Sequence, residues 1–225
     1  MKLVYSIILT LFAVAVNAQQ PFTIKGVIKD LPDTATITLH VDNPGTPAIA
    51  SAKAQRGRFE LKGSIAEPSL YVLTYSGSRQ NLGLFLEPAS ITVEGHKDSL
   101  VFATVKGSAV HDEFTAFRKE FDGLFFRLDQ IGRLMSNPAY ASKQDSLYRI
   151  VTDIVTELNT RADVYVDEFK KSPVTPLLLY FLYNFFQQPD ALYTRYEKLD
   201  EVSKKSYYGR MVGDIVRETR IGAVG

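Results

Sequence analysis

The chain has 225 residues, 45% of them hydrophobic, enough for one large core or two smaller ones. Its 26 basic and 25 acidic side chains are spread along the chain and leave a formal charge of +1, which gives no footprint for nucleic acid or an anionic membrane surface. The absence of cysteine excludes disulfides, cysteine-ligated metals, a lipid-attachment thiol and any thiolate chemistry by this polypeptide itself.

The first element is MKLVYSIILTLFAVAVNA, with one lysine, an apolar run from Leu3 to Val16, and small residues ending at Ala18. This pattern predicts a secretory signal peptide over residues 1–18, cleaved after Ala18. The alternative is a membrane anchor, but the run is short for a span and no basic cluster holds it. Removing it takes away Lys2 and brings the formal charge from +1 to about zero. The mature chain is expected to be exported, without a membrane span.

From Phe22 to Lys106 the pattern has period two. In ATITLHV, Ile37, Leu39 and Val41 alternate with Thr36, Thr38 and His40, and in RFELKG, Phe59 and Leu61 alternate with Arg58, Glu60 and Lys62. Further strands are predicted at LYVLTY, NLGLFLE, ITVEGH and LVFATVKG. Turn residues separate them at Asp30-Leu31-Pro32-Asp33, Asn43-Pro44-Gly45, Ser76-Gly77-Ser78 and Glu87-Pro88. The expected architecture over 19–107 is an antiparallel β-sandwich or open barrel. FTIKGVI at Phe22–Ile28 returns as FELKGSI at Phe59–Ile65 and more faintly as TVKGS at Thr104–Ser108. A duplicated hairpin would produce this echo; so would convergence on an apolar strand followed by a glycine turn or bulge, which is the preferred reading.

Beyond Lys106 the period becomes helical. Phe114, Phe117, Phe121, Leu124, Phe125, Leu128 and Ile131 mark one helix face, and Leu147, Ile150, Ile154, Leu158, Tyr165 and Phe169 mark a second between Ser142 and Lys170. Pro176 opens LLLYFLYNFF, Pro189 starts DALYTRYEKL, and Ser203 starts KKSYYGRMVGDIV. An α+β chain is predicted, with about five helices over 108–220, some packed on the sandwich, and a short linker over 221–225.

No pattern of catalytic groups emerges. His40, His96 and His111 are dispersed, and a zinc or iron site needs converging ligands. His111-Asp112-Glu113 is the nearest cluster; with Ser108 placed to cap the helix, the two acids read as first-turn residues rather than metal ligands. GSRQNLG at Gly77–Gly83 lacks the ending of a phosphate loop and reads as a hairpin turn. No G-x-S-x-G occurs, and Asp167 and Glu168 are neighbours on a helix surface, so a hydrolase has no motif to support it. No catalytic, cofactor-binding or metal-binding residue is assigned. The aromatic run Tyr180–Phe186 reads as a buried helix, and the tyrosines after it, Tyr193, Tyr196, Tyr207 and Tyr208, form a candidate interaction surface.

These motifs resemble a family. The opening FTIKGVI, the return RGRFELKGSIAEPSLYVL, then FLEPASITVEG, VKGSAVHDEF, SPVTPLLLYFL, YEKLDEVSKKSYYGRMVGDIV and TRIGAVG are similar to the N-terminal domain of unknown function that precedes the thioredoxin-like domain in exported thiol-disulfide oxidoreductases of Gram-negative bacteria. The resemblance covers nearly all of the mature chain and rests on glycine, proline and apolar patterns. It implies a periplasmic, non-catalytic accessory module that positions, dimerises or supplies substrates. Its partners would be a C-terminal thioredoxin-like domain of the same polypeptide and, in one form, a second copy of the chain. Ile221-Gly222-Ala223-Val224 matches the start of the stretch that introduces that domain, so the chain is expected to be the front of a longer enzyme. The family's C-x-x-C has no counterpart here. The alternative is a stand-alone secreted module that binds peptide or carbohydrate.

Overall fold

The structure, a computed structural model, describes residues 20–41 and 45–222. The expected signal peptide, residues 43–44 of the expected Asn43-Pro44-Gly45 turn, and residues 223–225 of the expected linker lie outside the described residues.

The period-two region forms strands β1 (Gln20–Lys29), β2 (Thr36–Val41), β3 (Ala48–Lys53), β4 (Arg58–Ile65), β5 (Ser69–Tyr75), β6 (Leu82–Leu86), β7 (Ser90–His96) and β8 (Thr104–Lys106). They make two four-stranded sheets, ordered β4-β1-β7-β8 and β3-β2-β5-β6. The inward positions of both sheets merge into one core: Ile24 and Ile28 from β1, Ile37 and Leu39 from β2, Leu61 from β4, Leu73 from β5, Leu84 from β6, and Ile91 and Val93 from β7. Of the two expected architectures this is the sandwich, in which alternation buries every second side chain between the layers. All pairings are antiparallel except β1 with β7, which run parallel in register Ile24↔Ile91 and Gly26↔Val93. Alternation reports which face is buried and carries no information about strand direction.

The echo between Phe22–Ile28 and Phe59–Ile65 has a packing cause. The two segments pair with each other antiparallel, so that Phe22 stands opposite Gly63 and Phe59 opposite Gly26. A Cβ at Gly26 would lie 2.0 Å from a ring carbon of Phe59, and one at Gly63 would lie 2.8 Å from Phe22. Each glycine therefore leaves room for the other strand's ring. Both glycines sit inside the ladder, which corrects the reading of them as turns or bulges. The third echo ends at Gly107, which does turn the chain, with φ +96° and Ser90 O 2.7 Å from where a Cβ would stand.

Three further local expectations are corrected. Leu100–Phe102 is not strand: Lys97–Phe102 is a 3-10 turn whose first turn is capped by His96, accepting from Asp98 N. β3 was not predicted, because AIASAK lacks large alternating side chains and lies at an exposed sheet edge. His40, expected on the solvated face, is buried; its ring bonds Thr46 O at 2.7 Å and Thr38 Oγ1 at 2.9 Å, beside a register shift in β2.

The helical half comprises α1 (Ala109–Met135), α2 (Gln144–Glu168), α3 (Thr175–Phe186), α4 (Pro189–Glu197), α5 (Glu201–Lys205) and α6 (Tyr207–Gly222). Ser108 caps α1 by accepting from His111 N at 3.1 Å, and Asp112 lies in the first turn, where the helix dipole favours it. The stripe Phe114, Phe117, Phe121 and Leu124 packs on Ile154, Leu158 and Tyr165 of α2 and on Leu177, Leu178 and Leu182 of α3. Burial there pushes the Tyr165 hydroxyl well above its ordinary pKa. The run Tyr180–Phe186 is mostly core-facing, though Phe185 is exposed and stacks on Phe125 at 5.5 Å. The segment expected as one helix from Ser203 is broken: Ser206 is extended, with ψ 167°, and separates α5 from α6.

The two halves are joined through α1. Phe85, on the outer face of β6, meets Phe114 with ring centroids 5.9 Å apart, and Phe85 N donates to His111 Nδ1 at 3.3 Å. Glu87 accepts from Ser108 Oγ at 2.7 Å and from Val110 N. On another side, Arg210 of α6 forms a two-pronged ion pair with Glu67, in the β4–β5 connection. The last helix is thereby tied to the sandwich as well as to its own bundle.

Candidate functional site

The four tyrosines singled out in the sequence separate into two pairs. Tyr208 is buried, with Tyr207 edge-on at 5.0 Å and Tyr180 at 5.8 Å, and both belong to the helical core. Tyr193 and Tyr196, three residues apart on α4, stand on one face and turn toward α6. Between α4, α5 and α6 they line an open groove of about 770 Å³.

The groove is shaped by two glycines at i and i+4 of α6. A Cβ at Gly209 would meet Ser203 O at 2.0 Å, so glycine there lets α5 approach the helix backbone closely. A Cβ at Gly213 would lie 2.6 Å from Tyr196 Oη, so glycine there seats the phenol across the helix. Burial, with Glu197 and Glu201 adding to it, raises the Tyr196 pKa, and the phenol stays a protonated hydrogen-bond donor at neutral pH. Among the described residues, no protein group hydrogen-bonds that hydroxyl.

Cations cover the aromatic wall. The Arg220 guanidinium lies 4.1 Å from the Tyr193 ring centroid, and Lys204 Nζ lies 5.4 Å from that of Tyr196. The lining also includes Arg210, Arg217, Glu197 and Asp214, which makes four cations against two carboxylates. Asp214 pairs with Arg217, Arg210 is held by Glu67, and Lys204 is 3.8 Å from Glu201. Among the described residues, no carboxylate lies within ion-pair distance of Arg220.

Behind this wall α4 is anchored by a residue the sequence reading missed. Arg195 points inward, its side chain 6% exposed. Its Nε donates to Asp163 Oδ1 at 2.8 Å, and its Nη2 donates to Asn159 O and Oδ1 at 3.2 and 2.8 Å. A buried guanidinium with this much of its fork engaged fixes the rotation of α4 on α2, and hence the direction in which Tyr193 and Tyr196 point. The sequence signal, an arginine at i+3 from one apolar position and i+4 before another, resembled a surface charge.

The other singled-out groups make contacts within the fold. His111 is buried at the junction; burial lowers its pKa, Asp112 opposes that shift and Arg118 adds to it. His96 bonds Asp30 at 2.9 Å. Of the stretch Gly77–Gly83, residues 77–81 lie in the turn of the β5–β6 hairpin and Leu82 and Gly83 open β6; Gln80 Oε1 accepts from Leu100 N at 2.8 Å. Asp167 pairs with Lys198 at 3.1 Å and Lys170 at 3.6 Å; the hydrogen bond from Lys198 holds its carboxyl below the ordinary range. Among the described residues, no group of three His, Asp or Glu is arranged to hold a metal ion, and no helix is long and apolar enough to cross a membrane.

Residues 22–114 match the model of a family described as a domain of unknown function, DUF4369. The matched segment contains nearly all of the sandwich and continues to Phe114, the residue that seats α1 on Phe85. The groove on α4–α6 lies outside it. No curated protein matches the chain.

Proposed function

We propose that this chain is the non-catalytic N-terminal module of an exported, periplasmic thiol-disulfide oxidoreductase, and that it recognises substrates for a thioredoxin-like domain that follows α6. The observation that carries the recognition role is the groove of Tyr193 and Tyr196, oriented by Arg195 and lined by charged side chains of both signs. The attachment to a redox domain is supported by the family resemblance of the motifs from FTIKGVI to TRIGAVG. The dithiol belongs to that domain, since this polypeptide has no cysteine to form a thiolate.

In this reading the sandwich is the spacer and the helical half the recognition surface. The joints at Phe85–Phe114, Glu87–Ser108 and Glu67–Arg210 hold α6 at a set position on the sandwich, so a domain attached after it would inherit that geometry. Dimerisation is a second route to positioning. The exposed Phe126 on α1 and Phe185 on α3 offer apolar surface for it, and sedimentation of the purified chain reads it directly.

The test is the reading frame beyond the codon for Gly225. A continuing frame with C-x-x-C at a strand-to-helix turn within roughly the next fifty residues is the expected result, because a helix N-terminus there lowers a thiol pKa. A stop codon at that point overturns the attachment and leaves a free-standing binding module with the same groove.

A further inference from the structure

We propose that the sandwich, where the β3–β4 turn meets the second half of β1, docks an acidic patch of a partner protein. This surface lies outside the α4–α6 groove, and the proposal does not depend on substrate recognition there. Lys25 of β1, Lys53 of β3, Arg56 of the turn and Arg58 of β4 line one open cleft of about 1170 Å³. All four are exposed, and among the described residues none has a carboxylate within ion-pair distance. Two carboxylates share the lining. Glu60 is already paired at 3.2 Å with Lys62, a further cation, and Asp33 accepts a hydrogen bond from the backbone N–H of Arg56. Just beyond the cleft, Lys29 of β1 and Glu94 of β7 offset each other in sign. Four cations less two carboxylates leave the cleft with a formal excess of two positive charges.

The backbone fixes where these charges stand. Arg56 and Gly57 are the central residues of a tight turn, with φ +50° and +72°, closed by Gln55 and Arg58, which exchange backbone hydrogen bonds at 2.9 Å. Gly57 O accepts from Ile28 N at 2.8 Å, and a Cβ at Gly57 would stand 2.6 Å from Ile28 O, so the turn is pressed against β1. Asn, Asp and Gly suit the first position of such a turn, whereas the Cβ of an arginine is disfavoured there. The chain nevertheless places Arg56 at the tip, exposed, with Asp33 holding its amide. Cations anchored in this way lose little backbone freedom when an anion arrives, and until it does they repel one another.

The mixture of signs selects the class of partner. Asp33 and Glu60 would repel a uniformly anionic layer of lipid headgroups, and the lining has no apolar side chain to insert into one: Phe59 is buried and Val27 is 38% exposed. A protein surface presents carboxylates at separate points with donors between them, which suits a cleft of this pattern. Val27, opposite Arg58 across the β1–β4 ladder, gives the contact an apolar centre. The cleft is too open to enclose a small metabolite.

The test uses the purified chain and, as a probe of clustered carboxylates, a short fluorescein-labelled peptide in which Glu alternates with Ser. Its isosteric control carries Gln in place of Glu. Fluorescence anisotropy at low ionic strength should show the Glu peptide binding about ten-fold more tightly than the control, and about 0.5 M salt should remove most of the difference. Arg56→Gly suits the turn backbone, so it should leave the melting temperature close to the parent's while weakening binding about three-fold. Arg58→Gln should cost a similar factor. Arg149→Gln, which removes the same charge from an exposed position on α2, should leave binding unchanged. Equal affinity for the two peptides, or an equal loss on Arg149→Gln, overturns the proposal. So does tighter binding to phosphatidylglycerol vesicles that Arg56→Gly abolishes, which would make this face a lipid surface. Each of these outcomes leaves the α4–α6 groove untouched, since that groove is read by Tyr193→Ala and Arg220→Ala.

Discussion

At the junction of the two halves, His111 accepts a hydrogen bond from Phe85 N through Nδ1, which requires that nitrogen to be unprotonated. Burial lowers its pKa, so the folded protein binds that proton more weakly than the unfolded chain does. The sign follows: this contribution to stability is complete above the ordinary histidine value of about 6.5 and is lost as pH falls from there toward the lowered value. The charged groups around it are Asp112, Arg118 and, through Ser108 and Val110, Glu87. His111→Asn places an amide oxygen near the Nδ1 position without a titrating ring. Urea unfolding from pH 7.5 to 5 should show a shallower loss of stability for His111→Asn than for the parent. Parallel pH profiles would mean that the histidine does not hold the junction.

Within the sheet, β1 and β4 are matched through Phe22–Gly63 and Phe59–Gly26, a pairing in which each glycine accepts a ring. Gly26→Ala should destabilise the protein by about 1–3 kcal/mol, because the new methyl meets Phe59 and the ring must leave its rotamer. Adding Phe59→Leu should recover part of that loss, so the two changes should be non-additive in chemical denaturation. Simple additivity would place the ring elsewhere. The motif F-x-[I/L]-K-G was legible in the sequence, but its cause was not, since a sequence shows residue types and hides which strand lies opposite. The same limit concealed the parallel β1–β7 pair. β3 escaped because Ala, Ser and Lys at an exposed edge carry no apolar rhythm, and Leu100–Phe102 misled because a 3-10 turn can bury a leucine as a strand does. The long helices were legible because their three-and-four stripes face a real core, although Ile150, expected in the α2 stripe, is exposed. The α5–α6 break was not, because Ser206 lacks the signature of a proline or glycine stop.

On the scale of the molecule, a sandwich and a helical bundle are held together by an aromatic contact, a capped helix start and an ion pair, and the groove lies on the bundle. Aromatic density in the sequence found half of that groove, Tyr193 and Tyr196; Tyr207 and Tyr208 were drawn into the core because α6 turns them toward α3. The cations were not found, since Lys204 and Arg220 meet the tyrosines only after α5 and α6 fold back on α4. The central claim is that this groove recognises substrate for an attached dithiol domain. Its most direct measurement is the steady-state reduction of a disulfide-bearing peptide by the full-length protein, parent against Tyr193→Ala and Arg220→Ala. The account predicts a KM raised about ten-fold in each variant with kcat unchanged, the signature of lost binding that is uniform between ground and transition states. Identical KM values in parent and variants would contradict it.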